Sequence, residues 1–220
     1  MSDAADLDRA IAHYRELAPV YDRSTRLINR IRERTIAALE LSPGDTVLDV
    51  GCGTGWCIPL LLARVGPSGR VIGFEPSLEM LHIARSRVSA NQPVELIHAS
   101  AEHVRLACPV DAILFSYTHD VIRSHRALEN ILGQAKPQAR VAATSTKLYA
   151  PWLGPANWYL RVTHRQYITN FDGFETPWST LAAYLDDFEV RTGPFTQHYV
   201  ATGRVKPAWG ASFDQLAKKT

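Results

Sequence analysis

Cysteine is scarce in this sequence of 220 residues, which contains only Cys52, Cys57 and Cys108. The three cysteines are odd in number and form no CxxC pair, so the sequence lacks the pattern of a disulfide framework and that of a cysteine-based metal site. Sparse free thiols are typical of a reducing compartment, and we expect a cytoplasmic location. Cys52 and Cys57 are expected to be small buried hydrophobic residues rather than reactive thiols.

An excess of charge of one sign is also missing, because 24 basic residues balance 22 acidic ones. No block of lysine or arginine stands out, so we expect no nucleic-acid partner. The longest apolar run, residues 58–63, is too short to cross a bilayer. The start of the chain is acidic and amphipathic, unlike a secretory signal peptide. No internal repeat, low-complexity segment or metal-ligand cluster is found, and we expect no metal.

What the sequence does contain is a regular alternation of short apolar strands and helices. Strands are predicted over residues 46–50, 70–74, 94–98, 111–115 and 140–145, and helices lead up to Val65 and over residues 77–88 and 121–135. This alternation predicts an α/β fold with a doubly wound, Rossmann-like, mostly parallel sheet covered by helices on both faces. Residues 188–191 and 196–200 alternate like two final strands and predict an antiparallel hairpin at the sheet edge.

Helical spacing also precedes the first strand. Apolar residues between Asp3 and Tyr14 predict one helix, and Ser24 is expected to cap a second helix that runs to about Leu41. The apolar positions of the second helix are Leu27, Ile28, Ile31 and Ile36. We therefore expect a single domain over residues 1–220: an N-terminal helical cap (1–41), a ligand-binding core (42–147), a lid (148–182) and the final strands (183–205).

The informative motif follows the first strand, in the glycine loop Gly51-Cys-Gly-Thr-Gly55 that opens a helix. Glycines let the backbone turn tightly and approach a ligand closely, and the helix start offers free N–H groups. Glu75 ends the next strand, 20 residues after Gly55. A carboxylate at that place suits the two hydroxyls of a ribose. Strand, loop, helix and acid together therefore indicate a nucleoside-binding site.

Two residues argue against a dinucleotide. The dinucleotide fingerprint has a third glycine where this sequence has Trp56, and a bulky side chain there would prevent the close approach of helix and strand. Asp49 lies inside the motif, and a carboxylate favours a cationic amino-acid group rather than an anionic pyrophosphate. A nicotinamide-dependent oxidoreductase on the same fold is therefore the less favoured alternative.

Asp49-Val-Gly-Cys-Gly-Thr-Gly55 resembles the first motif of class I S-adenosylmethionine-dependent methyltransferases. The upstream stretch Arg15-Glu-Leu-Ala-Pro-Val-Tyr-Asp22 resembles the entry segment of the ubiquinone/menaquinone-biosynthesis type within that superfamily. The resemblance covers about residues 14–145. It implies S-adenosylmethionine as cofactor and S-adenosylhomocysteine as product, and it is nearly silent on the methyl acceptor.

The resemblance also implies roles for individual residues. The glycines would cradle the amino-acid and ribose portions of the cofactor, Asp49 would orient the loop and the ammonium, and Glu75 would hold the ribose. Tyr21 would close over the carboxylate, Met80 would pack on adenine, and Ser116 and Tyr117 would lie under the methionine portion. The full implied set is Tyr21, Asp49, Gly51, Gly53, Gly55, Glu75, Pro76, Met80, Ser100, Ala101, Glu102, Ser116 and Tyr117.

One position departs from the family pattern. The adenine loop usually carries an acid before its alanine, and this sequence has Ser100 there. Either the Ser100 hydroxyl contacts the adenine amine, or Glu102 does so instead.

His119 and Asp120 follow the fourth strand, at the edge where ligands bind in open α/β sheets. His119 could accept a proton from the acceptor as a general base. Asp120 is expected to cap the helix that begins at Val121.

The aromatic segment from Tyr149 to Trp178 can be interpreted as core or as a lid over the acceptor, and we favour the lid. The expected acceptor-pocket residues are Tyr14, Tyr159, His164, Tyr167 and Trp178.

We therefore predict transfer of a methyl group to an oxygen, nitrogen, sulfur or carbon nucleophile of a small molecule. A second alternative is a non-catalytic protein that binds the cofactor and acts as a partner. Both a monomer and a homodimer fit the sequence.

Overall fold

The computed structural model describes residues 21–163, 171 and 173–210. The predicted helix between Asp3 and Tyr14 lies outside these residues, as do His164 and Tyr167. The side chain of Tyr21 is likewise outside the described part, although its backbone lies in a short helix.

Seven strands form one sheet in the order β3-β2-β1-β4-β5-β7-β6. Neighbouring strands pair in parallel from β3 to β5, and the last two pairings are antiparallel. This arrangement confirms the predicted doubly wound, mostly parallel fold with an antiparallel pair at one edge. The strands are β1 (Thr46–Val50), β2 (Arg70–Glu75), β3 (Val94–His98), β4 (Val110–Ser116), β5 (Ala135–Thr144), β6 (Leu185–Arg191) and β7 (Val200–Val205).

Helices connect these strands, and within the described residues no helix is long and apolar enough to span a membrane. A 3-10 turn, Arg26–Ile28, separates the first two helices. The helices are α1 (Tyr21–Ser24), α2 (Asn29–Ala38), α3 (Ile58–Val65), α4 (Leu78–Ser86), α5 (His119–Arg123), α6 (His125–Leu132), α7 (Gly154–Thr163), α8 (Ser179–Ala182) and α9 (Pro207–Gly210).

The sheet is buried on both faces, which explains why its central strands are apolar without alternation. Successive residues of a strand point to opposite faces. Accordingly, Phe115 of β4 packs in one core cluster with Leu128, and its neighbour Leu114 packs in the other cluster with Leu61. Alternation appears only at the edge strand β6, where buried and exposed residues largely take turns.

The topology gathers polar side chains at one edge of the sheet. The carboxyl ends of parallel strands meet at the same edge, and the strand order reverses between β1 and β4, since β2 and β3 lie on one side of β1, and β4 and β5 on the other. A crevice at such a reversal of strand order is where ligands bind in open α/β sheets.

Two predicted helices are interrupted, so both expectations were wrong. Ser24 ends α1 instead of capping a long helix, and the second helix ends at Ala38 rather than Leu41. The expected apolar position Leu27 is almost fully exposed in the 3-10 turn. The helix predicted over residues 121–135 breaks at Ser124, whose hydroxyl accepts from the Ala127 N–H at 3.2 Å. An N-cap inside the periodic segment therefore starts a new helix.

Two further predictions were wrong. Asp120 is not a cap, because α5 begins at His119, two residues before the predicted start at Val121. Asp120 lies inside the helix, exposed in its first turn. The second edge strand does not run over residues 196–200, because β7 begins where that range ends. Thr192 and Thr196 hydroxyls donate to the His198 carbonyl at 3.0 and 3.1 Å, which holds this part of the range in a compact loop.

Candidate functional site

The glycine loop between β1 and α3 adopts a conformation that favours glycine, with φ values of +56°, +55° and +76° at Gly51, Gly53 and Gly55. A Cβ on Gly51 would lie 2.8 Å from Thr118 Cγ2, and one on Gly55 would lie 3.0 Å from Ala84 Cβ. A Cβ on Gly53 would meet nothing within 4 Å. The outer glycines therefore allow close packing, whereas the middle one faces open space.

Glu75 closes this loop from the end of β2. Its Oε2 accepts from the Gly53 N–H at 3.0 Å and its Oε1 from the Ser77 N–H at 2.9 Å. Burial raises the pKa of the carboxyl, and the two backbone hydrogen bonds partly oppose that rise. A carboxylate oxygen can accept more than one hydrogen bond, so Glu75 can hold the loop and still receive hydroxyl donors.

Asp49 lies in β1 with its side chain 1% exposed. Its Oδ2 has no hydrogen-bond partner among the described residues. Burial raises the pKa of Asp49 to about 7, Glu75 adds to the rise, and the Arg32 guanidinium opposes it. A buried carboxylate without a partner is costly, so this atom marks a place for a cationic donor.

Arg32 brings a positive charge to the same place, which the sequence analysis did not predict. The side chain is 5% exposed, and its guanidinium carbon lies 5.4 Å from the centre of the Trp56 ring and 5.6 Å from that of Tyr117. The guanidinium donates to Asn29 Oδ1 and Thr25 Oγ1 over long distances of 3.4 and 3.5 Å. The signal was in the sequence: Arg32 lies four residues from both Ile28 and Ile36, on the apolar face of its helix.

Asp22 ties the N-terminal segment to the loop, a second role that the sequence analysis missed. Thr54 Oγ1 donates to Asp22 Oδ1 at 2.6 Å, and Arg87 forms an ion pair with Asp22 Oδ2. One carboxylate therefore joins α1, the glycine loop and the residue after α4. The neighbouring Tyr21 belongs to α1, directly before this contact.

The end of β2 and the start of α4 form the next wall. Met80 is buried on α4, and its N–H donates to the capping Ser77 hydroxyl at 3.3 Å. The Pro76 carbonyl accepts from His98 Nε2 at 2.9 Å. Pro76 and Met80 thus follow Glu75 at the carboxyl edge of the sheet, as the predicted site requires.

The loop after β3 carries Ser100, Ala101 and Glu102. The Ser100 hydroxyl is hydrogen-bonded to His103 Nδ1 at 2.9 Å, Ala101 is buried, and Glu102 is partly exposed. His103 therefore engages the hydroxyl that stands where the family pattern has an acid.

The end of β4 carries Ser116, Tyr117 and His119. Tyr117 has a φ of +61°, which is uncommon for a bulky residue, and its hydroxyl lies 3.1 Å from His198 Nδ1. His119 is 6% exposed, with its ring 5.8 Å from that of Phe174 and its Nε2 3.5 Å from Asp120 Oδ2. His198 is 81 residues from Tyr117, so local sequence patterns could not have predicted this pair.

Two expected acceptor-pocket residues are described, and they lie in different surroundings. Tyr159 is 65% exposed on α7, whereas Trp178 packs edge-on against Tyr199, with ring centres 4.7 Å apart. Leu148, Leu160 and Phe174 form a small apolar cluster within the predicted lid. The lid segment therefore has a core of its own.

The cysteines of the loop are buried, as expected, and burial raises the pKa of Cys52 and Cys57. Both thiols stay protonated and are poor nucleophiles. Within the part of the chain that the structure describes, no group of three His, Cys, Asp or Glu residues is arranged to hold a metal.

Comparison with known proteins points to one family. Residues 47–138 match a family model described as a methyltransferase domain. The chain is 30% identical over 160 residues to a demethylmenaquinone methyltransferase of Symbiobacterium thermophilum, and 26% identical over 203 residues to the protein of that name in Lactobacillus johnsonii. The matches cover 72% and 88% of this chain, and 59% and 79% of the respective relatives.

The fold is likewise similar to known structures. A crystal structure of a SAM-dependent methyltransferase from Aquifex aeolicus superposes with a TM-score of 0.60 at 21% identity, over 87% of this chain and 98% of the other.

Proposed function

Because this chain belongs to the class I S-adenosylmethionine-dependent methyltransferases, we propose that it transfers the methyl group of S-adenosylmethionine to a small molecule. The observation that carries the proposal is the buried Asp49 carboxyl with its unpartnered oxygen, next to the glycine loop. A cationic amino group suits that oxygen, whereas a dinucleotide pyrophosphate would be repelled.

The residues present fit this cofactor. Asp49 would accept from the ammonium, and the buried Arg32 guanidinium would pair with the carboxylate, so one acid and one base match an amino-acid zwitterion. Glu75 would accept from the ribose hydroxyls with the acceptor capacity that its backbone hydrogen bonds leave. Tyr21, Pro76, Met80, Ser100, Ala101, Glu102, Ser116 and Tyr117 would complete the site.

When bound, S-adenosylmethionine supplies a methyl group on a positively charged sulfur, which leaves as a neutral thioether. The protein therefore needs no acid for the leaving group. Its task is to hold the acceptor in line with the methyl group and to keep water out. The aromatic rings of Trp56 and Tyr117 and the buried end of β4 are suited to that task.

For the acceptor we propose a hydroquinone-type aromatic molecule. The names of the two relatives support this class, and the aromatic segment of residues 149–178 would supply apolar walls for such a ring. The methyl group is an electrophile and a quinone ring is electron-poor, so the reduced, hydroxylated form is the reactive one. Tyr14, Tyr159, His164, Tyr167 and Trp178 stay our proposed acceptor-pocket residues.

A protonated hydroxyl on the acceptor calls for a base, and His119 is the residue that the sequence analysis named. The Asp120 carboxylate, 3.5 Å from Nε2, would stabilise a protonated His119 ring. Replacing His119 with glutamine tests that assignment: a base at His119 removes an ionisation from the pH dependence of methyl transfer, whereas a base elsewhere in the site leaves the wild-type pH dependence, and neither outcome changes the affinity for the cofactor.

Calorimetric titration of wild type and Glu75→Ala with S-adenosylmethionine, S-adenosylhomocysteine and NAD tests the cofactor. We expect the wild type to bind both adenosyl ligands, and the variant to lose on the order of 1.5–3 kcal/mol for each charged hydrogen bond removed. Glu95→Ala is the matched control, since that carboxylate lies on β3 in an exposed ion pair with Arg70. Binding of NAD alone would favour an oxidoreductase, and tight cofactor binding without methylation of any acceptor would favour a non-catalytic partner.

A further inference from the structure

We propose that Tyr117 and His198 act together to take the proton from the methyl acceptor, with Tyr117 as the catalytic residue and His198 as its positioning residue. The proposal rests on the methyl-transfer function proposed above. It concerns two side chains that meet at the carboxyl edge of the sheet, and neither has been assigned a part in proton transfer.

Contacts of the residue that follows Tyr117 place the pair beside the glycine loop. Thr118 touches the glycine loop, because a Cβ on Gly51 would lie 2.8 Å from Thr118 Cγ2. Tyr117 directly precedes Thr118, and the Arg32 guanidinium carbon lies 5.6 Å from the centre of its ring. Tyr117 therefore lies directly beside the glycine loop, at the edge of the sheet where the proposed cofactor would bind.

The backbone holds Tyr117 in an unusual conformation. Its φ of +61° is sparsely populated for a non-glycine residue, and its N–H donates to the Thr144 carbonyl at 2.9 Å. Such strain persists only where surrounding structure enforces it, and it clusters at functional sites. Here it turns the ring toward His198, with the two ring planes at 72°.

His198 is fixed from its own side. Its carbonyl accepts from the Thr192 and Thr196 hydroxyls, and its backbone forms a bridge with Thr146 just beyond β5. Nδ1 lies 3.1 Å from the Tyr117 hydroxyl, which is hydrogen-bond distance. The imidazole is thus held where it can accept the phenolic proton.

The other titratable and charged groups around the pair are less suited to accept the proton of the methyl acceptor. Burial and the neighbouring Tyr117 raise the pKa of Tyr199, so this phenol stays protonated. Burial lowers the pKa of Lys147, whose Nζ donates to the Leu148 carbonyl at 3.0 Å. Arg32 is permanently charged and cannot accept a proton. His119, on α5, faces Phe174 and is the rival base.

The step balances as follows for a hydroquinone. A nucleophilic carbon or oxygen of the acceptor forms a bond to the methyl carbon while the carbon–sulfur bond breaks and sulfur keeps the electron pair. Where the nucleophile is a ring carbon, loss of the hydroxyl proton leaves the keto form, and the hydrogen on the methylated carbon then moves to that oxygen through water, which restores the aromatic ring. The proton lost from the acceptor hydroxyl goes to the Tyr117 oxygen as the phenolic proton moves to His198 Nδ1. The imidazolium then releases that proton to water.

The test compares wild type with Tyr117→Phe and His198→Asn, using 1,4-dihydroxynaphthalene kept reduced as the probe acceptor. Asparagine keeps a hydrogen bond to the phenol but cannot take a proton. We expect kcat to fall about a hundredfold in each variant near pH 7, with no further loss in the double variant, since the pair acts as a unit. At a pH high enough to ionise the probe, the rates should converge, because a phenolate needs no base.

The chain offers a second tyrosine–histidine pair as a control, although its Tyr184 hydroxyl also donates to Glu129 Oε1 at 3.2 Å. His125 Nδ1 lies 2.8 Å from the Tyr184 hydroxyl, on α6 and away from the glycine loop. His125→Asn and Tyr184→Phe should leave kcat and its pH profile unchanged. A further readout uses no turnover: in nitrogen-15 spectra, Tyr117→Phe should shift the titration of His198, whereas Tyr184→Phe should not.

The outcomes are distinct. Wild-type protein that binds the cofactor but methylates no hydroquinone overturns the proposed function, and the role of the pair with it. If the wild type is active but the kcat of His198→Asn still falls at low pH as the wild-type kcat does, or stays low at high pH, the role of the pair alone is overturned. If the fall of kcat at low pH disappears in His119→Gln instead, the base is His119.

Discussion

At the scale of the residue, the site depends on charged groups that are removed from water. Asp49 and Glu75 are buried acidic residues, and Arg32 is a buried cation close enough to lower the pKa of Asp49. Burial costs each ion its hydration, and the cost is recovered only when an opposite charge arrives. The site is therefore electrostatically prepared for a ligand that carries both an ammonium and a carboxylate.

Asp49→Asn should stabilise the free protein above neutral pH. The pKa of Asp49 is raised to about 7 in the folded state, so the folded protein holds more protons than the unfolded one between about pH 4 and 7. Stability of the free protein then falls as pH rises through that window. Urea unfolding at pH 5 and pH 8 should show a variant that is more stable than the wild type at both values, with an advantage that grows by on the order of 3 kcal/mol from pH 5 to pH 8.

The same substitution should weaken cofactor binding, because the ammonium loses its carboxylate. Titration with S-adenosylhomocysteine at pH 8 measures this loss. A variant that is stabilised and still binds at wild-type affinity would contradict the ammonium role, and one that is destabilised at pH 8 would contradict the raised pKa.

At the scale of the element, the two sides of the glycine loop have different surroundings. Gly55 packs against Ala84 of the helix α4, whereas Gly53 faces open space. Both glycines have positive φ, so a Cβ at either position brings the same backbone strain. The two positions differ only in what the added methyl group would meet.

Gly55→Ala and Gly53→Ala should therefore separate stability from binding. The alanine at Gly55 adds a clash with Ala84 to the backbone strain, and we expect it to cost about 2–4 kcal/mol of unfolding free energy. The alanine at Gly53 should cost only about 1–2 kcal/mol but reduce cofactor affinity at least tenfold. Denaturant unfolding and calorimetry check the pair. Equal losses of stability would argue against the packing role of Gly55.

At the scale of the whole molecule, the short helix α1 is tied to the glycine loop and to the end of α4. Asp22 links α1 to Thr54 in the loop and to Arg87 after α4, across 32 and 65 residues of sequence. The contact joins three parts of the chain that share no secondary structure. The position of α1 and the shape of the glycine loop are therefore coupled through Asp22.

Asp22→Ala should loosen the N-terminal segment without unfolding the sheet. Thr54 and Arg87 lose their shared partner, and since the groups are partly exposed we expect a loss of about 1 kcal/mol or less in stability. Limited proteolysis should cut the variant faster near residues 21–30, and cofactor affinity should fall. Asp186→Ala at the sheet edge is a matched control, and equal proteolysis of both variants would contradict the coupling.

The fold class was predictable because the alternation of apolar strands and helices is a local signal. Breaks within helices were harder, since Ser124 and Thr25 interrupt segments whose apolar spacing looks continuous. The second edge strand was placed too early because hydroxyl contacts of Thr192 and Thr196 compete with strand pairing. The family resemblance named the glycines, Asp49 and Glu75 as site residues, and the structure adds the contacts that these residues make with one another.

The sequence by itself determined the parallel sheet, the glycine loop and the acids at its edge, because short-range spacing and glycine content encode them. Only the tertiary structure decided which groups face one another there. Arg32 meets Asp49, Asp22 meets Thr54, and Tyr117 meets His198 through packing of distant segments. The protonation of Asp49 also belongs to the fold, since it depends on burial, which a linear sequence does not contain.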